Sequence, residues 1–390
     1  MVFQIPELHE DELDVLVLLS EQRDSLRDRL VEPRRWAGTL RRMAFARAVQ
    51  GSNSIEGYNA SLDDVVAAVE GEPTLGAEEE TQQALAGYRD AMTYILQIGG
   101  DDGLEVDEGL LKSLHFMMLK YDLAKHPGRW RPGPIFVQRE SSNEIVYQGP
   151  PSKAVPGLLA EMLSDLEKDG APVVVKAAMA HLNLTMIHPF SDGNGRMARC
   201  LQTLVLARDR VIAPVFSSIE EFLGRNTEAY YAVLEDVGAG AWNPNRDARP
   251  WLRFCMRAHY LQATTTMRRR AEIESLWNSC VELAESNGLP ERCAAGLMDA
   301  AIGLRIRRKI YRSSAEAAVG EELSDLTASR DLKAMVDHDL LQAVGERRAR
   351  YYLAGETLRS LREQIRSERA PKSEDDPFRI ARDRRQLRLA

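Results

Sequence analysis

The chain has 390 residues, of which 44% are hydrophobic and 28% charged. This is the composition of a folded protein with room for two or three domains, and it excludes a disordered chain. A net charge of −8 excludes a molecule whose whole surface grips nucleic acid and leaves only local basic faces to consider. The amino-terminal MVFQIPELHEDELD is acidic where a secretory leader is basic and then apolar. No apolar run approaches the ~20 residues of a membrane span, so a cytoplasmic protein with no membrane attachment is expected.

In chain order, apolar residues at helical spacing predict helices over 13–30, 110–119, 158–166, 173–187 and 197–206, so the body of the chain is read as all-α. Residues 71–80 and 99–103, rich in Gly, Pro and acids, read as loops. One β signal stands out in the first 250 residues. Ile135-Phe136-Val137-Gln138 and Ile145-Val146-Tyr147 flank Glu140-Ser141-Ser142-Asn143 and are bounded by Pro134 and Gly149-Pro150, which predicts a hairpin. Cys200, Cys255, Cys280 and Cys293 sit singly in helical patterns with no C-x-x-C pair, so buried reduced thiols and no structural metal are expected.

Beyond Pro290 the helical stretches 293–302, 314–319 and 328–336 lead into residues 340–353, which alternate around Gly345. This order reads as a winged helix-turn-helix with the last hairpin as its wing. From Gly355 a charged helix is expected to about Arg369, followed by Pro371–Pro377 and a basic tail expected to be mobile. The chain therefore divides into an amino-terminal helical region (1–100), a core (101–285), the winged module (290–355) and a charged helix with tail (356–390).

Residues 188–199 read HPFSDGNGRMAR and lie in a loop that opens a helix, where unpaired backbone N–H groups and the positive end of the helix dipole attract anions. An imidazole such as His188 is largely neutral near pH 7 and can accept a hydroxyl proton. His181, one heptad earlier, is read as a packing residue. Asp192, the only carboxylate of the loop, is the natural ligand for Mg²⁺. Gly193, Asn194 and Gly195 let the backbone approach phosphates as an anion nest, with Phe190 as the apolar peg beneath it. Arg196 and Arg199, spaced i, i+3, bring two guanidinium groups to one helix face, each suited to phosphate oxygens.

The run fills every fixed position of H-x-F-x-[DE]-G-N-G-R-x-x-R and so resembles the Fic family. The resemblance implies an all-α Fic fold with a β-hairpin flap, whose exposed edge holds a target segment by strand addition. It implies transfer of AMP from ATP, with Mg²⁺, to a Tyr, Thr or Ser hydroxyl of a protein substrate, with self-modification also expected and a homodimer left open. In a branch of the family that acts as a kinase a lysine replaces the second glycine; this chain keeps Gly195. Arg225–Tyr231 resembles the segment bordering the nucleoside: Asn226 would hydrogen-bond the base or sugar and Tyr230 or Tyr231 would pack against it, with aromatic core packing an equal alternative for either tyrosine.

Ser52-Asn53-Ser54-Ile55-Glu56-Gly57 matches the family's inhibitory pattern [ST]-x-x-x-E-[GN]. In a short helix Ser52 and Glu56 would share a face and Gly57 could end it in the left-handed conformation. By resemblance Glu56 pairs with Arg199 and denies it to the γ-phosphate; the family also lets this glutamate position water for removal of AMP. The alternative from another class is a nucleotide-sensing DNA-binding regulator. It would use Arg305, Arg307, Arg308, Lys309 and Arg312, a recognition helix over Thr327–Val336, and the wing residues Arg347, Arg348 and Arg350. The near balance of acids and bases in this module weighs against it.

Overall fold

The computed structural model describes every residue except 31–33, 73, 102, 140–143, 169, 209–213, 347–349, 370, 372–374 and 390, and it is helical with two small sheets. Helices α1 (Glu10–Leu30), α2 (Ala37–Ile55), α3 (Leu62–Val69), α4 (Glu79–Ile98) and α5 (Glu108–Leu119) come first. The hairpin β1 (Phe136–Arg139) and β2 (Glu144–Gln148) leads into α6 (Val155–Glu167), α7 (Val173–Ile187) and α8 (Asn194–Ala207). Next come α9 (Glu220–Arg225), α10 (Thr227–Gly238), β3 (Gly240–Ala241) and the long α11 (Arg249–Ser286). The carboxy-terminal part holds α12 (Cys293–Ala301), α13 (Arg308–Val319), α14 (Asp325–Asp337), β4 (Leu341–Val344), β5 (Tyr351–Ala354), α15 (Glu356–Ser367) and α16 (Pro377–Leu389). None of the described helices is long and apolar enough to cross a membrane.

The central pair is α7 and α8. The sequence of α7, VVVKAAMAHLNLTMI, is apolar nearly all round, and the helix is buried on nearly all sides, as such a pattern requires. Even the first residues of the chain are tied to it: Phe3 N–H donates to Asn183 Oδ1 (2.9 Å) and Asn183 Nδ2 donates back to Phe3 O (3.0 Å). All four cysteines are buried and unbridged.

The hairpin is antiparallel with an irregularity between Val137 and Gln138, and it is fastened to α7 by Tyr147, whose hydroxyl donates to Met186 O (2.8 Å). A third strand appears that the sequence pattern did not reveal: the two-residue β3 pairs in parallel with Tyr147 and Gln148. The predicted turn, 140–143, lies outside the described residues.

Three expectations are corrected. The helix ending in the inhibitory pattern is not short: α2 has 19 residues. Its Gly51 crosses Gly224 of α9 so closely that a Cβ on Gly51 would stand 2.5 Å from Glu220 O and one on Gly224 would stand 2.6 Å from Gly51 Cα. The carboxy-terminal tail is not loose either. Its α16 lies on α1, with Arg385 bridging to Glu10 (2.8 Å), Asp11 (2.6 Å) and Asp14 (2.7 Å), and with Phe378 buried. Acids on α1 thus supply partners that no local pattern in the tail announces.

The third correction concerns the basic residues assigned to DNA. Arg305 pairs with Asp63 and with Asp64 (2.6 Å), and Arg307 pairs with Glu72 (2.9 Å), which Lys309 also approaches at 3.5 Å. Arg308 and Arg312 share Asp325 (3.1 and 2.8 Å). These cations face acids of their own chain. Arg347 and Arg348 lie outside the described residues.

Candidate active site

The site forms where α7 ends and α8 begins. His188 closes α7 with φ +50, its N–H donating to Leu184 O. Its ring Nδ1 lies 3.0 Å from Thr185 O; a proton on Nδ1 satisfies that contact and leaves Nε2 unprotonated. Burial, and the Arg131 charge beside it, hold the imidazole below its ordinary value although the Thr185 carbonyl pulls the other way. The neutral form therefore dominates at pH 7, the form a proton acceptor needs.

The loop between the helices is locked by Asn194. Phe190 N–H donates to Asn194 Oδ1 and Asn194 Nδ2 donates to Phe190 O, both at 2.9 Å. The Asn194 side chain thus shapes the loop, and only its backbone N–H is available to an anion. The N–H groups of Asn194, Gly195 and Arg196 open α8 ahead of the first intrahelical bond from Met197 to Gly193, so they carry the orphan donors of a helix start. Gly193 sits at φ +75, a conformation that favours glycine. Its own N–H is taken by Asp192 Oδ1 (2.6 Å). Asp192 is half-buried, and burial alone would raise its pKa. Arg196, the Gly193 N–H and Lys125 (3.2 Å from Oδ2) outweigh burial and hold it below the usual carboxylate range.

Three residues of this shell escaped the sequence patterns. His115 is fully buried, stacked on Phe190 (3.7 Å between ring centres), accepts from Gly128 N–H at Nδ1 (2.8 Å) and donates from Nε2 to Asp192 O (2.9 Å). Burial pushes it down to about 4, so it is a neutral strut. Arg131 gathers the carbonyls of His188 (2.7 Å), Gly133 (2.6 Å) and Pro150 (2.5 Å) and so ties the loop to the hairpin base. Lys125 reaches Asp192 from a short turn after α5. All three are single polar residues in unremarkable contexts; only the tertiary fold brings them here.

Arg196 and Arg199 are each 1% exposed. Arg196 stacks over the Tyr58 ring, 5.2 Å from its centre. Arg199 Nε donates to Ser52 Oγ (2.8 Å), and its Nη2 donates to Ser52 O (3.0 Å) and Glu56 Oε1 (2.5 Å). Burial would lower the Arg199 pKa, but the Glu56 charge overrides it and raises it. Arg196 Nε and Nη1 and Arg199 Nη1 are buried with no hydrogen-bond partner. Buried unsatisfied guanidinium groups ask for an anion. Gly57, at φ +84, ends the inhibitory turn beyond Glu56. Gly195 faces this pair: a Cβ there would stand 2.5 Å from Glu56 Oε1.

The nucleoside segment is divided by the structure. Tyr230 is buried, its hydroxyl 2.9 Å from His181 Nε2 and its ring near Trp251, so the packing alternative applies and Tyr230 is withdrawn from nucleotide contact. His181 is likewise a packing residue, held by Gln202 and Tyr230. Asn226 directs its amide donor to Phe222 O (2.7 Å), a helix-end contact in place of a free donor for a base. Tyr231 is 48% exposed and donates to Ile55 O (3.1 Å), beside the inhibitory turn.

Residues 105–206, which contain this whole loop, match the model of the Fic/DOC family. The chain carries a Fic/DOC domain. It is 27% identical over 231 residues to a protein adenylyltransferase Fic of Nematostella vectensis, covering 57% of this chain and 50% of that one. Against protein adenylyltransferase fic-1 of Caenorhabditis elegans it is 34% identical over 119 residues, covering 28% and 20%. The chain thus matches half the length of the first of these relatives and a fifth of the second. Among solved structures, a Fic family protein from Desulfovibrio desulfuricans G20 superposes with a TM-score of 0.58 at 22% identity, over 91% of this chain and 99% of that one. Fic-1 of C. elegans superposes at 0.51 and 23% identity, over 65% and 73%. The overall fold is thus shared with these two solved proteins.

Proposed function

We propose that this Fic protein is an autoinhibited protein adenylyltransferase that moves AMP from ATP to a Tyr, Thr or Ser hydroxyl of a protein, itself included. The observation that carries the proposal is the set of buried guanidinium donors without partners, Arg196 Nε and Nη1 and Arg199 Nη1, beside the open turn of α8 and a neutral His188. The target oxygen attacks the α-phosphorus, His188 Nε2 takes its proton, the bond from α-phosphorus to the bridging oxygen breaks, and pyrophosphate leaves. The α8 N–H groups and Arg196 stabilise charge that builds on the phosphate oxygens. Asp192 suits a hard cation: it stays ionised, and Lys125 already stands at Oδ2 where a cation would bind. Asp192 would hold Mg²⁺ from the protein side, with phosphate and water as its other ligands. When bound, Mg²⁺ would neutralise and orient the polyphosphate.

Glu56 acts as the brake. Its bond to Arg199 occupies a cation that would otherwise hold the terminal phosphate, and the pair's burial supports a stronger effect than that of an exposed ion pair. The hairpin serves as the flap that holds the target segment. The carboxy-terminal α12–β5 unit is a winged helix-turn-helix module used for docking, supported by the order of helices before a hairpin and by the Ile306–Tyr352 bridge.

The test is transfer of label to protein by the full chain from ATP labelled at the α- or the γ-phosphate, for wild type and Glu56→Gly. Label from the α-phosphate alone, greater in the variant, is expected. Label from the γ-phosphate would overturn the proposal, as would none from either in a cell extract supplied with the variant.

A further inference from the structure

A second cavity, of about 250 Å³, lies among α2, α9, α11 and α15. One side is apolar, with Leu40, Met43 and Ala48 of α2 facing Ile273 of α11. The other is cationic, and its lining contains seven arginines against two glutamates. Glu221 is occupied by Arg225 and by Arg269 (2.5 Å), and Glu272 by Arg369 (2.9 Å) and, more loosely, by Arg366 (3.9 Å). Arg47, Arg268 and Arg362 remain, from three different helices. Each is half-buried, and each has its Nε shielded from water with no hydrogen-bond partner.

These groups repel one another. Burial and the nearby Arg269 charge push Arg47 down to about 10. Arg268 is lowered by burial and by Arg369 and Arg269, and Arg362 by burial and by Arg366. Packing alone gives no reason to gather like charges in a half-buried hollow, since each loses hydration and gains repulsion. A bound polyanion removes both costs. Guanidinium forks match phosphate oxygens bidentately, and a cavity just under the ~300–1,000 Å³ of ordinary ligand sites suits a compact molecule.

We propose that this cavity is a second ligand site, separate from the His188 loop, that binds a small anion carrying two or more linked phosphates. The phosphates lie on Arg47, Arg268 and Arg362, and the apolar wall contributed by α2 leaves room for a short organic portion. Neither a metal nor a step of AMP transfer is involved.

The test is titration calorimetry of the full chain with inorganic tripolyphosphate, free of divalent metal. Three proteins are compared: wild type, the double variant Arg47→Gln/Arg268→Gln, and Arg196→Gln, which disables phosphate contact at the His188 loop. Binding should persist in Arg196→Gln and weaken at least about tenfold in the double variant, as loss of charge-assisted hydrogen bonds implies. Binding lost in Arg196→Gln and kept in the double variant would overturn the proposal, as would no binding to wild type. Thermal melting without ligand separates this from a packing role. The double variant, relieved of repulsion, should melt at or above wild type, and tripolyphosphate should raise the melting temperature of Arg196→Gln but not of Arg196→Gln combined with Arg47→Gln/Arg268→Gln. A double variant that melts well below wild type would show that these arginines hold the helices together, and the site would be lost as an explanation.

Discussion

His188 combines a backbone conformation that few non-glycine residues adopt with a ring held at Nδ1, which leaves Nε2 as the nitrogen able to accept a proton. Replacing it with Ala should leave nucleotide binding in place and lower transfer roughly 10²–10⁴-fold, the usual contribution of a positioned base; near-normal rates would remove it from the mechanism. A pH profile gives an independent check. The base works when deprotonated, and burial lowers its pKa below the ordinary imidazole value of about 6.5. The rate under kcat/KM conditions should therefore hold level as pH falls through 6.5 and decline only below it, and a midpoint above 6.5 would contradict the assigned environment. The 188–199 run was legible because eight chemically constrained positions stand together in the sequence. His115, Arg131 and Lys125 were not, since each is a lone residue whose role comes from a carbonyl or carboxylate far away in the chain. Tyr230 shows the converse: an aromatic residue in a suggestive place that the fold uses for packing against His181.

At the level of elements, α2 connects everything proposed about regulation. Its carboxy-terminal end carries Ser52 and Glu56 to Arg199, and Gly51, immediately before Ser52, allows α9 to approach backbone to backbone. Glu56→Gly should raise transfer, and the gain should vanish in Glu56→Gly with Arg199→Ala, because releasing an arginine that is absent releases nothing. Gly51→Ala asks whether the crossing matters. Its methyl would collide with the Glu220 carbonyl, so α2 must shift at a cost of about 1–3 kcal/mol, and the Glu56–Arg199 bond should loosen with it. Basal transfer above wild type together with a lower melting temperature is expected; unchanged transfer would show that the Glu56 turn tolerates movement of its helix. The apolar spacing predicted the central helices α7 and α8 closely, since burial on every side leaves a dense signal. The long α11 gave no such signal because its sequence mixes runs such as Thr264-Thr265-Thr266 and Arg268-Arg269-Arg270 into the helix, and the two residues of β3 are too few for any period.

Across the whole molecule the same helix joins the carboxy-terminal unit to the Fic loop. Arg42, on α2 five residues before Arg47, donates to Asp299 of α12 (2.5 Å), and Asp299 also accepts from Ser314 of α13 (2.7 Å) and Thr39 (3.3 Å). Asp299 is fully buried and Arg42 nearly so, with Glu70 the only other acid bridged to Arg42 among the described residues, at 3.9 Å. A charge pair in this position is sensitive to loss of one member, because the partner keeps its desolvation cost without its compensation. Asp299→Ala should therefore destabilise the protein by about 3–5 kcal/mol, seen as a lower melting temperature. The paired replacement Arg42→Met/Asp299→Leu removes both charges and fills the space with apolar atoms, so it should recover most of that loss, a difference that distinguishes charge burial from simple packing. If the junction also sets where α2 lies, transfer by Asp299→Ala should exceed that of wild type at temperatures where both are folded. Equal melting of Asp299→Ala and wild type would show that the carboxy-terminal unit is not held to α2 through this bond, and would leave the Glu56 brake mechanically independent of it.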